Sequence, residues 1–169
     1  MSRKTRATDM LADAGIVFSV HTYEYDPDAQ SIGLQAAEAL GQDPACVLKT
    51  LMARVDGKPV CVIVPSDREV SMKKLAAALG GKSAEMMKPA DAERMTGYKV
   101  GGISPFGQRR RSPTIIEIQA LAHELVFMNG GQRGLQVCLS PADAQRTLGA
   151  VAAPLIADAS PPSGHVART

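Results

Sequence analysis

The dipeptide Asp56-Gly57 lies between two apolar runs and constrains the fold of this chain more than any other short feature. Residues 47–55 and 59–65 are rich in Val, Leu and Ile, which are residue types enriched in strands. Asp-Gly is a preferred pair for a two-residue type I′ turn, because glycine accepts the positive φ that this turn requires. The sequence therefore predicts an antiparallel β-hairpin over residues 47–65.

Further apolar runs bounded by turn residues predict about seven strands in all. Residues 125–128 and 135–139 flank a glycine-rich loop and form a second predicted hairpin. The remaining predicted strands are residues 18–23, 100–103 and 114–118.

Five short segments predict helices. Ser71 precedes apolar residues at helical spacing, and Gly80-Gly81 ends that run. Ser140, Pro141 and Asp143 provide a cap, a first-turn proline and an acidic residue before a helix that ends at Gly149. The other predicted helices are residues 5–14, 31–40 and 89–97. Hairpins interspersed with short helices, without regular βαβ alternation, predict an α+β fold with a mixed, mostly antiparallel, barrel-like β-sheet surrounded by short helices.

The chain of 169 residues predicts a single domain over residues 1–158, followed by a disordered tail over residues 159–169. Cys46, Cys61 and Cys138 are far apart and form no CxxC pair, which predicts three buried thiols in a reducing compartment and neither a zinc site nor a disulfide framework. The amino terminus lacks the apolar segment of a signal peptide, and no apolar stretch is long enough to cross a bilayer. We therefore expect a cytoplasmic protein with no membrane partner and no metal.

Several common function classes lack their motifs in this sequence. The phosphate-binding pattern G-x-x-x-x-G-K-[ST] and the dinucleotide pattern G-x-G-x-x-G are both absent. Three Phe, three Tyr and no Trp are too few for a base-stacking surface of the RNA-recognition type.

Lys49 is a charged residue on a strand face that is otherwise predicted to be apolar. Alternation along the strand puts it on the same face as Leu51, Ala53 and Val55, which is the more apolar face. A lysine on a core face needs an anionic partner, an anionic ligand or loss of its charge. The alternative is that Lys49 lies at the strand end, from where its ammonium group reaches water.

Four glycines fall within residues 97–107, around a predicted strand end. Backbone N–H groups that are not hindered by side chains can turn towards a ligand and form an oxyanion hole, whereas a simple bulge and turn is the alternative. Ser104 lies in this run, but the closing glycine of G-x-S-x-G is missing and no histidine is adjacent in sequence, so a nucleophilic role for Ser104 is disfavoured.

Basic residues concentrate near these glycines. The formal net charge is only +2, yet residues 94–133 contain six basic residues and two acidic ones. Arg109, Arg110 and Arg111 follow the glycines directly, and Arg133 lies in the second hairpin loop. Arginine suits bidentate recognition of phosphate, and a solvated loop is the alternative.

Several short motifs between about residues 8 and 150 resemble, in order, those of the YbaK/EbsC family of aminoacyl-tRNA deacylases, and within it the bacterial Cys-tRNA(Pro) deacylases. The run from residue 96 to residue 111 is the most specific part of the resemblance. The matching residues are His21-Thr22-Tyr23-Glu24, Lys49-Thr50-Leu51, Thr96-Gly97-Tyr98, Val100-Gly101-Gly102-Ile103-Ser104-Pro105, Gly107-Gln108-Arg109-Arg110-Arg111, Pro113-Thr114, Gly130-Gly131 and Arg133-Gly134-Leu135.

The resemblance implies the fold of an aminoacyl-tRNA synthetase editing domain, with no cofactor. It implies that Lys49 holds the terminal adenosine or its phosphate and that Tyr23 lines the pocket. It also implies that the backbone amides of Gly101, Gly102, Ile103 and Ser104 hold the aminoacyl carbonyl. Lys49 and these four residues form the predicted catalytic set. The other residues of the predicted substrate site are Pro105, Arg109, Arg110, Arg111, Gly131, Arg133 and Gln136.

The activity that the resemblance implies is trans-editing at the 3′ acceptor end of aminoacyl-tRNA, in partnership with prolyl-tRNA synthetase. A hydrophobic pocket separates near-isosteres such as cysteine and proline by only ~1–3 kcal/mol, so that synthetase needs a second editing site. The expected substrate is Cys-tRNA(Pro), with Cys-tRNA(Cys) as a further substrate. The expected chemistry is attack of the cysteine thiol on its own ester carbonyl, which needs no catalytic Ser, Cys or metal.

Gln136 departs from the pattern, because relatives often carry Asp or Ser there, and this leaves the amino-acid specificity open. Three alternatives remain beside the main expectation: an Ala-tRNA(Pro) deacylase that uses water, a non-catalytic module that binds tRNA or a synthetase, and a hydrolase of a small ester that uses Ser104 and Lys49.

Overall fold

Five helices and eight strands occur within residues 4–29 and 31–158, which are the residues described by this structure, a computed structural model of the chain. The helices are α1 (Arg6–Asp13), α2 (Ile32–Leu40), α3 (Met72–Ala78), α4 (Pro89–Thr96) and α5 (Pro141–Leu148). The strands are β1 (Ser19–Thr22), β2 (Leu48–Val55), β3 (Lys58–Pro65), β4 (Ala84–Met86), β5 (Thr114–Glu117), β6 (Val126–Asn129), β7 (Leu135–Leu139) and β8 (Val151–Ala153). The predicted tail, residues 159–169, lies outside the described residues.

The hairpin predicted from Asp56-Gly57 is confirmed. Strands β2 and β3 pair antiparallel with Val55 opposite Lys58, so two residues form the loop. Asp56 has a φ of 50° and Gly57 a φ of 82°, as a type I′ turn requires at both positions. The Asp56 carboxylate also accepts hydrogen bonds from the backbone N–H groups of Lys82 and Ser83, which ties the turn to the segment before β4.

The strands form two sheets. One has the order β1-β7-β6 and is antiparallel throughout, whereas the other has the order β4-β2-β3-β5-β8. In the larger sheet β2 pairs antiparallel with β3 and β4, and the pairs β3–β5 and β5–β8 are parallel. An isolated parallel bridge between Val47 and Phe127 joins the two sheets. The fold is therefore α+β and mostly antiparallel, as predicted, and its strands form two bridged sheets.

The strand predicted over residues 100–103 is absent, and this prediction is wrong. These residues form a turn followed by irregular backbone. Gly101 has a φ of 92°, and the carbonyl oxygens of Val100 and Gly101 accept hydrogen bonds from the side chains of Arg133 and Asn129. Side chains of a distant hairpin therefore take the place of a neighbouring strand. Conversely, the three-residue strands β4 and β8 form although the sequence analysis did not predict them.

Burial differs among the three cysteines. Cys61 and Cys138 are buried, as predicted, but Cys46 is only half-buried. Cys46 ends a short 3₁₀ turn, Pro44–Cys46, and its thiol donates a 3.2 Å hydrogen bond to the carbonyl oxygen of Asp43. The prediction of three buried thiols is therefore wrong for Cys46, because a surface turn precedes the buried strand.

The core consists of apolar clusters around the sheets. The largest contains Phe106 and the inward residues of β5, β6 and β7, and a second lies between β3 and helix α3. None of the helices in the described part of the chain has the length and apolar character to cross a membrane.

Candidate functional site

A cavity of about 320 Å³ opens where the two sheets and helix α2 meet. Gly33 and Ala36 of α2 form one wall, and residues 47–52 of the β2 segment form the floor. Met86, Met87, Pro89 and Ala92, from the end of β4 to the first turn of α4, form a second wall, and Val100, Gly101 and Ile103 of the glycine-rich loop form the third. Most of this lining is apolar, so polar groups within it stand out.

Lys49 is the single charged residue among the described residues that line this cavity. It pairs with Val64 across the central hairpin, which fixes its backbone in the sheet. Its side chain is 21% exposed, and the Nζ atom lies 3.6 Å from Oε2 of Glu69. Lys49 therefore lines the cavity and has an anionic partner, Glu69, that is not among the lining residues.

Tyr23 and Gln136 are neighbours in the lining, and both carry an unsatisfied polar atom. The hydroxyl of Tyr23 and the side-chain oxygen of Gln136 are buried without a hydrogen bond to any described residue, as is the hydroxyl of Thr50. Burial raises the pKa of Tyr23, and the adjacent Gln136 side chain opposes that shift. An unpaired buried polar atom costs about 1–3 kcal/mol, so a ligand group that reaches these atoms recovers that free energy.

The glycine-rich loop approaches the rest of the site so closely that side chains would not fit. A Cβ atom on Gly101 would lie 2.5 Å from the Tyr25 hydroxyl, and one on Gly102 would lie 2.8 Å from the backbone nitrogen of Arg133. The N–H groups of Gly101 and Ile103, which both line the cavity, take part in none of the hydrogen bonds of the described residues. These two donors are therefore unused within the described residues.

Two side chains from the β6–β7 hairpin hold this loop in place. Asn129 donates a 3.2 Å hydrogen bond to the carbonyl oxygen of Gly101, and Arg133 donates a 2.9 Å hydrogen bond from Nε to the carbonyl oxygen of Val100. The guanidinium of Arg133 also lies 5.3 Å from the ring centre of Tyr25. Loop, hairpin and Tyr25 thus form one connected edge of the cavity.

Ser104 and Pro105 lie outside the lining. Ser104 is fully buried, and its hydroxyl accepts a 3.1 Å hydrogen bond from the backbone N–H of Phe106. Its carbonyl oxygen accepts another from Gln108. Pro105 lies with Arg111 at a separate, smaller cavity of about 100 Å³. The Ser104 hydroxyl therefore stabilises the backbone of its own turn by a hydrogen bond.

The arginine run also lies away from the large cavity. Arg109, Arg110 and Arg111 are exposed, and the N–H groups of the first two bond to the carbonyl oxygens of Thr96 and Met95 at the end of α4. Gly131 is not among the lining residues either; it packs against Tyr98, where a Cβ atom would be 2.9 Å from the ring.

The structure thus gathers five of the predicted site residues around the cavity. They are Tyr23, Lys49, Gly101, Ile103 and Gln136. Arg133 and Gly102 do not line the cavity but contact each other at the glycine-rich loop, which Arg133 holds through its hydrogen bond to Val100. The other predicted residues lie elsewhere. Sequence reasoning missed Gly33 and Asn129; the pattern Asn-Gly-Gly was a usable signal for Asn129, whose side-chain oxygen accepts from Gly131 and Gln132 in an Asx-type turn.

Comparisons with known proteins agree on one family. The model of the aminoacyl-tRNA editing domain family matches residues 26–147. A protein of Enterococcus faecalis named "Putative Cys-tRNA(Pro)/Cys-tRNA(Cys) deacylase EbsC" is 33% identical over 82% of this chain and 85% of its own length. The proline–tRNA ligase of Caldicellulosiruptor bescii is 36% identical over 49% of this chain but only 14% of the ligase.

A solved structure supports the same fold. It is described as a "putative trans-editing enzyme for prolyl tRNA synthetase", with 20% sequence identity and a TM-score of 0.77. The match covers 93% of this chain and 100% of that one. At this identity the likeness shows the fold alone.

Proposed function

The chain belongs to the aminoacyl-tRNA editing domain family, and from this premise we propose that it is a deacylase that clears mischarged Cys-tRNA(Pro), with Cys-tRNA(Cys) as a further substrate. One observation carries the proposal: Lys49, the only charge in the described lining, shares a mostly apolar cavity with residues Gly101 and Ile103, whose N–H groups are unused within the described residues. A cation and two backbone donors suit the phosphate and the acyl carbonyl at the end of an aminoacyl-tRNA.

In this proposal Lys49 binds the terminal adenosine or its phosphate, and Tyr23 and Gln136 contact the aminoacyl group. The N–H groups of Gly101 and Ile103 stabilise the charge that develops on the carbonyl oxygen in the tetrahedral transition state. Their fixed positions matter, because donors held in place need no reorganisation as the charge appears.

The nucleophile in this proposal is the thiol of the substrate itself. The thiol sulfur forms a bond to the ester carbon, the bond from that carbon to the ribose oxygen breaks, and the ribose oxygen takes up the proton that the thiol releases. The products are a cyclic thiolactone and free tRNA. This route fits a cavity whose described lining offers no carboxylate and no histidine as general base for a water molecule.

The apolar part of the lining supports a small, uncharged amino-acid side chain. Met52, Met87, Ala92 and Ile103 present hydrocarbon and thioether groups to the cavity. A thiol loses little on transfer to such a surface, whereas a charged side chain would lose its hydration without a partner. We therefore propose cysteine over acidic or basic amino acids as the group removed.

The cavity is large enough for the aminoacyl-adenosine end but small beside a whole tRNA. We therefore propose weak discrimination between tRNAs by this chain alone, with a complex with prolyl-tRNA synthetase providing selection for tRNA(Pro). Equal rates on Cys-tRNA(Pro) and Cys-tRNA(Cys) would agree with this idea, and strong intrinsic discrimination would contradict it.

A deacylation assay tests the proposal. Wild-type protein should release the amino acid from Cys-tRNA(Pro), and Lys49→Ala should abolish release. Lys58→Ala, which removes an exposed lysine from the same hairpin, is the matched control and should retain activity. An intact ester at micromolar wild-type protein would refute the proposed action on Cys-tRNA(Pro) and leave the three alternatives given above.

The substrate-assisted step is tested by changing the amino acid. Ser-tRNA(Pro) should react roughly tenfold more slowly or worse, because a hydroxyl is a weaker nucleophile than a thiol at neutral pH. Ala-tRNA(Pro), which has no internal nucleophile, should remain acylated. Undiminished turnover of either ester would replace the thiolactone route with attack by water.

A further inference from the structure

The carboxylate of Glu69 lies 3.6 Å from the ammonium group of Lys49, and Glu69 is not among the residues that line the cavity. We propose that Glu69 is a displaceable counter-ion that occupies the Lys49 ammonium in the free protein and leaves it when a phosphate of the substrate binds. This inference rests on the role proposed above for Lys49 and adds a residue that tunes the affinity of that site for anions.

The exposures of the two side chains differ strongly. Lys49 is 21% exposed, whereas Glu69 is 86% exposed. An ion pair with one fully hydrated member gains little free energy, because water and salt screen it and the carboxylate keeps its hydration when the pair opens. The pair is therefore easily broken on the Glu69 side, while Lys49 stays where the strand places it.

The backbone that carries Glu69 is held firmly. The carbonyl oxygen of Glu69 accepts a 2.8 Å hydrogen bond from Ala157, and Val70 forms an isolated bridge with Ile156. The segment that makes these contacts is anchored by Glu117, a fully buried residue whose carboxylate accepts the N–H groups of Leu155 and Ile156. Departure of the Glu69 carboxylate consequently needs only a side-chain rotation, without movement of the loop.

The distribution of charge around the cavity indicates how the Lys49–Glu69 ion pair affects anion binding. Lys49 is the only charged side chain in the described lining of a mostly apolar cavity, so it is the one cation there that an anion can pair with. The Glu69 carboxylate competes with any other anion for Lys49. An anion binds only if its contacts with Lys49 and with the rest of the cavity contribute more free energy than the Lys49–Glu69 ion pair that it replaces. Glu69 thus lowers the affinity of Lys49 for every phosphate group, and a ligand needs further contacts in the cavity to bind tightly.

Binding of adenosine 5′-monophosphate, measured by calorimetry beside the deacylation assay, tests the inference. Glu69→Gln keeps the size of the side chain and removes its charge. It should tighten binding of adenosine 5′-monophosphate about twofold to fivefold and lower KM for Cys-tRNA(Pro) by a similar factor, with kcat unchanged. The affinity for adenosine, which carries no phosphate, should not change.

Asp67→Asn is the matched control, because Asp67 is an exposed acid of the same loop that makes no ion pair within the described residues. It should leave both affinities within error of the wild type. Equal effects of the two variants would assign the change to general charge and overturn the proposal. A fall in kcat for Glu69→Gln would also overturn it, since Glu69 would then orient Lys49.

The two readouts separate this inference from the proposed function. If the wild type deacylates nothing, yet Glu69→Gln tightens nucleotide binding and Lys49→Ala abolishes it, the function fails and the counter-ion role stands. If deacylation requires Lys49 but Glu69→Gln changes neither KM nor nucleotide affinity, the counter-ion role fails and the function stands.

Discussion

The side chain of Asn129 donates a 3.2 Å hydrogen bond to the carbonyl oxygen of Gly101, across 28 positions of the sequence. The side-chain oxygen of the same residue accepts the N–H groups of Gly131 and Gln132. One nearly buried amide therefore joins the turn of the β6–β7 hairpin to the loop that presents the backbone donors of the cavity. The orientation of those donors depends on this connection.

Asn129→Ala should reduce both stability and deacylation. It removes three hydrogen bonds, one to the carbonyl oxygen of Gly101 and two from the N–H groups of Gly131 and Gln132, and each contributes about 0.5–1.5 kcal/mol. We expect a loss of about 2 kcal/mol in the free energy of unfolding, measured with urea, and a lower kcat on Cys-tRNA(Pro).

Asn129→Asp separates the two functions of this side chain. It keeps an oxygen for the N–H groups of Gly131 and Gln132 but places a second oxygen against the Gly101 carbonyl. Its kcat should fall as in Asn129→Ala, although the turn keeps its acceptor. Full activity of Asn129→Asp would show that the Gly101 contact does not position the loop.

Gly33→Ala should move helix α2 and disturb the cavity wall. A Cβ atom at Gly33 would lie 2.8 Å from Cβ of Ser66 and 3.7 Å from Cβ of Lys49. Alanine favours a helix, but the overlap is with an atom next to the backbone and is not relieved by a side-chain rotation. We expect a net loss of about 1–2 kcal/mol in unfolding free energy and a higher KM.

Ser66→Gly is the partner that tests this explanation. It removes the atom that the new methyl group meets, so the double variant Gly33→Ala/Ser66→Gly should recover most of the KM. Ser66→Gly alone removes the 3.2 Å hydrogen bond from the Ser66 hydroxyl to the carbonyl oxygen of Pro44 and frees the backbone there, so the single variant is the reference for the double one. Strictly additive effects of the two substitutions would mean that they do not meet in the protein.

Ser104→Ala distinguishes the deacylase proposal from a serine hydrolase. The Ser104 hydroxyl is fully buried and accepts the N–H of Phe106, so its removal should cost about 1 kcal/mol of stability. Activity should stay within a few-fold of the wild type when measured well below the unfolding temperature. A loss of several orders of magnitude in kcat in a folded variant would restore Ser104 as a nucleophile.

Features set by local chemistry were predictable from the sequence. Local sequence alone determines the conformation of the Asp56-Gly57 turn and of the helix starts capped by Ser71 and Ser140. The apolar runs around them are recognisable in the same way. Lys49 was likewise visible as a charge within an apolar strand.

Features set by distant contacts were not predictable in the same way. The loop at residues 100–103 reads as a strand, and only Asn129 and Arg133 explain its irregular course. Strands β4 and β8 have three residues each and exist because β2 and β5 offer them an edge. The arginine run follows the glycines in sequence, yet bonds to the end of α4 turn it away from the cavity.

The buried thiol of Cys61 predicts a loss of stability at alkaline pH. Burial raises the pKa of Cys61 from an ordinary value of 9.0 to about 12. Above pH 9 the thiol of the unfolded chain ionises while that of the folded protein keeps its proton, so the free energy of unfolding falls as pH rises from 9 towards 12. At pH 10.5 this residue should account for a loss of roughly 2 kcal/mol, measured by urea unfolding.

Cys61→Ala isolates this contribution from the other groups that titrate in the same range. Tyr23, Tyr98, Cys46 and Cys138 also have a pKa raised by burial and lower the stability of both proteins in the same direction. The variant begins less stable at pH 7, because a buried side chain is shortened, but its stability should fall less steeply between pH 9 and pH 10.5. Parallel curves for the two proteins would show that the Cys61 thiol ionises as readily in the folded protein as in the unfolded chain.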